Sequence, residues 1–220
     1  MNAAAKDVTA TLRRRASDAE PAGRFQVLLE EEQKFCEDLG LRKGLLLDIA
    51  RTDSDWAFIL KIDGLLETAS KEIIRRGLRR RIVNGIAHGD PLWNESLWDF
   101  VDSLPMYGKT SILKLLEAAG CPSEEHAFIE AVRKLKKAYA NDIKSHGVGL
   151  LALIKQRPDR AFLLKSISAV ENHGEAELVA IYEKDGDFLR FCILDRTMRF
   201  LFFAYHLALK WVAAWPLAHS

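Results

Sequence analysis

From Arg24 onward the apolar residues recur at every third or fourth position, the period of a helix with one buried face. Phe25, Leu28, Leu29 and Phe35 form the first stripe, which Gly40 ends, and Leu45 to Ile49 form a second. The longest runs through "SDWAFILKIDGLLETASKEIIRRGLRRR". There Ser54 is placed to cap a helix whose apolar side is Trp56, Ile59, Leu60, Leu66, Ile73 and Ile74. Asn84 to Pro91 reads as loop, and Trp93 to Phe100 as a short amphipathic piece. The pattern then predicts a helix over Thr110 to Ala119, stopped by Gly120-Cys121-Pro122. Another begins at Ser123, with acids early, lysines late and Gly147 as its stop. Helices over Leu150 to Ala169, Glu175 to Glu183 and Phe188 to Trp215 complete an all-α fold. Strand signals are poor, although "AELVAIYEKDGDFLRFCIL" also admits a hairpin turning at Asp185-Gly186.

The same pattern divides the chain. Residues 1–23, alanine-rich and polar with an Arg13-Arg14-Arg15 run, read as a flexible N-terminal arm, either solvated or touching nucleic acid. Residues 24–147 form a helical core, and 148–220 a helical extension packed on it. Within that extension "FLFFAYHLALKWVAAWPLA" is nearly continuous apolar sequence. At ~1.5 Å per residue it barely reaches the ~30 Å of a bilayer core. Arg199, His206 and Lys210 recur on one side of it. A long apolar C-terminal helix, buried or in a dimer interface, is the expectation, with membrane association as the alternative.

Composition narrows the function classes. At 220 residues, 49% of them hydrophobic, the chain can bury a sizeable core, and a net charge of +1 singles out no partner. Cys36, Cys121 and Cys192 lie too far apart for a disulfide framework or a zinc ribbon. With no apolar signal core at the start, they predict a cytoplasmic chain. The histidines are scattered and no His-Glu-x-x-His occurs, so neither a metal nor another cofactor is expected.

Two strings suggest phosphate. Gly108-Lys109-Thr110-Ser111 ends like a nucleotide-binding P-loop, but the first glycine of that motif is replaced by Ser103, and Pro105 removes an amide from the would-be cradle. A helix start explains it better. Arg75, Arg76, Arg79, Arg80 and Arg81 crowd the end of the long helix, more cations than its dipole calls for, and form a candidate phosphate-binding patch beside the reading of a solvated face.

Three landmarks then follow in order: "DWAFILKIDGLLETAS", "GKTSILKLLEAAG" and "FIEAVRKLKKAYAND". That succession, over Asp55 to Asp142, resembles bacterial proteins of the HEPN type (the higher-eukaryote and prokaryote nucleotide-binding helical superfamily), in a branch similar to the mannitol-operon repressor group. The resemblance implies a helical bundle that forms a homodimer. In active members, an Arg and a His from two protomers meet at the dimer axis and cleave RNA without metal. Aligned on Phe128, Ile129 and Leu135, this chain has Lys136 at the Arg position, Lys137 at the Asn position and Asn141 at the His position. Lysine still holds phosphate as a point charge, whereas asparagine is neither acid nor base.

His146 lies four residues after Asp142, where a carboxylate would orient an imidazole on one helix face, though a histidine beside Gly147 is also an ordinary helix-end feature. Asn84 and His88 repeat the Asn-to-His spacing, but Asn84-Gly85 reads as a turn. Asp63 and Glu67, at i and i+4 on the long helix, have no evident partner. The expectation is therefore a regulatory component with a decayed nuclease motif that binds RNA or a cognate protein. It would use Lys136, Lys137, Lys144 and the arginine run, in a toxin–antitoxin, phage-defence or transcriptional setting that the resemblance implies. The alternative is a metal-independent endoribonuclease toxin using His146 or His88 with Asp142 and Asn141. A third reading is an interaction protein held at a membrane by its last helix.

Overall fold

The computed structural model describes residues 41–83, 98–141, 146–168 and 173–213, with 78–83 and 208–213 as backbone alone. The fold is all-α, and no strand occurs among the described residues. In chain order the helices are α1 (Leu45–Ala50), α2 (Asp55–Val83), α3 (Ile112–Ala118), α4 (Ser123–Asn141), α5 (Leu150–Lys155), α6 (Arg160–Ile167), α7 (Glu175–Lys184) and α8 (Gly186–Ala213). Residues 98–103 are helical as well. The predicted arm over 1–23 and the stripe from Phe25 to Phe35 lie outside the described residues.

Helix α2 is the spine. Ser54 caps it as expected, its carbonyl accepting from Phe58 N at 2.9 Å and its Oγ from Ala57 N at 3.5 Å. Phe58, Ile59, Ile62, Leu66, Ala69 and Ile73 are buried along its length, and α8 and α4 are its most extensive neighbours. Leu60, expected on the apolar side, is instead 41% exposed, because it stands one position off the stripe of Ile59, Ile62 and Leu66. Helix α4 returns the packing with Phe128, Val132, Leu135 and Tyr139, all fully buried. The buried apolar residues from Leu46 to Leu207 make one continuous cluster, to which the predicted core and the predicted extension both contribute.

Three sequence expectations are refined. The single helix expected over Leu150 to Ala169 is two, since Pro158 cannot continue α5 and Asp159 starts α6 under a two-pronged bond from Arg157. The hairpin alternative at Asp185-Gly186 is overturned. Asp185 ends α7 and at once starts α8, accepting from Phe188 N at 3.1 Å through both its carbonyl and Oδ1. The apolar residues there keep helical spacing, with Leu178, Tyr182, Leu189, Cys192 and Ile193 all buried. Finally, α8 is long but not an apolar rod. Asp195, Arg196 and Thr197 are buried within it, and Arg196 donates to the Glu124 carbonyl at 2.8 Å while lying over the Phe128 ring. Among the described residues no helix is long and apolar enough to cross a membrane.

The Gly108-Lys109-Thr110-Ser111 string is the entry to α3. Gly108 takes a φ of 121°, a conformation that favours glycine, and Ser111 caps the helix by accepting from Lys114 N at 3.3 Å. Gly120, at φ 91°, ends the same helix before Pro122.

Candidate functional site on the α2–α4 face

Where α2 crosses α4, the two acids without an evident sequence partner meet three cations. Arg133 Nη1 donates to Asp63 Oδ2 and Oδ1 at 3.0 and 3.2 Å, and to Glu67 Oε2 at 2.8 Å. Lys136 Nζ donates to Asp63 Oδ2 at 2.6 Å, and Lys71 Nζ lies 3.0 Å from Glu67 Oε1. Helical spacing builds this arrangement: Asp63, Glu67 and Lys71 are successive turns of α2, and Arg133 and Lys136 are one turn apart on α4. Asp63 is 3% exposed, so its charge is tolerable only because two cations cover it. Burial would raise the Glu67 carboxyl, but the hydrogen bonds from Lys71 and Arg133 outweigh it and hold the group below the ordinary 4.5. Three cations against two carboxylates leave the face one positive charge, and Lys137, exposed beside Lys136, adds another.

Tyr107 closes one end of this face. Arg133 lies over its ring at 5.7 Å from the centroid, and its Oη donates to the Ile129 carbonyl at 3.4 Å. Burial pushes its phenol well above the ordinary 10.

The sequence candidates are distributed unevenly. Lys136 belongs to the network, Lys137 is exposed, and Asn141 is exposed at the last residue of α4. His146 is half-buried: its Nε2 lies 3.1 Å from the Tyr139 carbonyl, and its ring stacks on Trp56 at 4.5 Å between centroids. That is a joint between the end of α4 and the start of α2, reinforced by Tyr139 Oη on the Val148 carbonyl at 3.1 Å and by Leu150 N on Asp55 Oδ2 at 2.7 Å. Arg75 pairs with Asp102 and lies over the Trp98 ring at 5.5 Å, and Arg76 Nε donates to Glu72 Oε1 at 2.8 Å. His88, Asp142, Lys144 and the side chains of Arg79, Arg80 and Arg81 lie outside the described residues.

Sequence reasoning passed over Arg133 and Tyr107. The signal for Arg133 was present, since acids at i and i+4 on one helix call for cations at i and i+3 on the helix that covers them. The motif alignment drew attention one turn too far along, to Lys136. No group of His, Cys, Asp and Glu that could hold a metal occurs among the described residues. Comparison with known proteins gives no matching family model, no similar curated protein and no similar solved structure.

Proposed function

We propose that this chain is a HEPN-like helical protein that binds RNA as a regulatory component and carries no nuclease chemistry of its own. The observation that supports it is the engagement of Lys136. The cation at the place of the family's arginine is committed to Asp63 and flanked by Arg133, so it neutralises charge rather than waiting for a scissile phosphate. Metal-free cleavage also needs a proton-transfer group beside the cation. Asn141 has none to offer, and His146 is turned onto a backbone carbonyl and a tryptophan ring. What remains is a weakly positive face suited to phosphate contact without chemistry, in a cytoplasmic setting of toxin–antitoxin, phage-defence or transcriptional control that the resemblance implies.

The test is a mixed RNA pool incubated with the wild type, His146→Ala and His88→Ala in EDTA, beside binding measured by fluorescence anisotropy at rising salt. The expected outcome is no cleavage by any of them, and weak binding that falls with salt and with the double substitution Lys136→Ala, Lys137→Ala. Cleavage by the wild type that either histidine variant loses would replace this reading with the toxin. Absence of RNA binding at low salt would remove RNA as the ligand.

A further inference from the structure

We propose that Tyr107 is a stacking platform for a nucleobase of single-stranded RNA, with Lys109 and Lys137 holding the neighbouring phosphates. The inference deepens the RNA reading and rests on it.

The loop carrying Tyr107 is pinned on both sides. Leu104 and Met106 are buried, Ile112 N donates to the Pro105 carbonyl at 3.0 Å, and Ser111 Oγ donates to the Gly108 carbonyl at 3.1 Å. Between these anchors Tyr107 stays 37% exposed. It is not a loose side chain, because its Oη holds the Ile129 carbonyl and the Arg133 guanidinium backs the ring. A ring fixed in this way has little freedom left to lose when a second flat group stacks on it.

Its surroundings point to a nucleic-acid base rather than an apolar side chain. Arg133 is itself fixed by Asp63 and Glu67, so it supports the ring instead of gripping phosphate. Lys109, two residues beyond Tyr107, and Lys137, one turn beyond Arg133 on α4, are both exposed and form no ion pair with another described residue. Glu130 also acts on Tyr107, but it is paired with Lys134. An exposed aromatic ring on a loop that carries one unpaired lysine, against a helix that carries another, is how proteins hold unpaired nucleotides: the base stacks and the backbone is drawn to the charges. A duplex keeps its bases stacked on each other and offers such a ring nothing, so the ligand is single-stranded.

The test compares wild type, Tyr107→Leu and Tyr107→Phe for anisotropy binding to a single-stranded RNA of mixed sequence, to the same RNA annealed to its complement, and to inorganic polyphosphate. Tyr107→Leu should weaken single-strand binding roughly tenfold, the loss of one stacked base. It should leave polyphosphate binding and the salt dependence of RNA binding unchanged, because no charge is removed. Tyr107→Phe, which keeps the ring and its Arg133 backing but loses the Oη anchor, should lose far less than Tyr107→Leu. Equal loss for RNA and polyphosphate would mean that the ring merely supports the fold, and no loss would mean that no base stacks there; either overturns the proposal while RNA binding stands. A wild type that binds no RNA, but holds a protein partner through Tyr107, overturns both this proposal and the RNA reading beneath it.

Discussion

Glu125 stands in the first turn of α4 with its carboxyl buried against α8. Oε1 is 3.8 Å from Arg196 Nη1, and Oε2 has no hydrogen-bond partner among the described residues. Burial raises its affinity for a proton, and Arg196 and Arg199 only partly oppose that. A carboxyl whose folded-state value lies above its ordinary 4.5 favours folding at pH below that value, and loses the contribution as pH rises through the folded-state value. Glu125→Gln should therefore stabilise the protein at neutral pH, by about 2–4 °C in thermal midpoint for each kcal/mol relieved. The gain should vanish in acid, where both side chains are neutral; melting curves at pH 7 and pH 3.5 check it, and an equal gain at both would contradict the assignment. His146 teaches a related lesson about legibility. Its place at a helix end was readable from Gly147, but that its ring would rest on Trp56, ninety residues earlier in the chain, depends on packing that no local pattern encodes.

At the scale of the element, the seam between α2 and α4 trades stability against binding. Asp63→Asn would leave Lys136 without its carboxylate and Arg133 with Glu67 alone. The folded state should lose about 2 kcal/mol, as a hydrogen-bonded buried charge pair is broken. RNA affinity should rise in the same variant, with a steeper salt dependence, because the face gains one uncompensated cation. Denaturant unfolding and anisotropy read the two effects separately, and a variant weakened in both would argue against RNA on this face. Both helices were legible, α2 from Ser54 and its apolar stripe, α4 from its acids and lysines. Their pairing was not, since Asp63 and Arg133 are joined across a span in which α3 and its loop intervene. Pro158 stands in the sequence between α5 and α6, but the apolar residues on either side of it keep helical spacing and mask the break.

For the whole molecule, the resemblance implies a two-fold dimer with the stretch from Lys136 to His146 near the axis. Exposed Leu60 adds apolar surface on α2, the helix that α4 packs against. Light scattering at micromolar concentration should give twice the monomer mass, and the mass of one chain would count against that arrangement. A two-fold axis there would bring the Lys137 side chains of both copies to one continuous surface, doubling the charge available to a single RNA strand.

The pairing of α2 with α8 also sets the order in which the chain can mature. Helix α2 is complete early in synthesis, yet its most extensive neighbour is the last described helix, more than a hundred residues downstream. Until α8 leaves the ribosome, α2 lacks the neighbour that it packs against most extensively, and part of its apolar side waits for cover. Such distant contacts slow folding and lengthen the time for which apolar surface is open to other chains. A nascent chain stalled at Asp185 would thus present a sticky, half-built bundle, so the protein's yield in a cell should follow the supply of chaperones more closely than its size suggests.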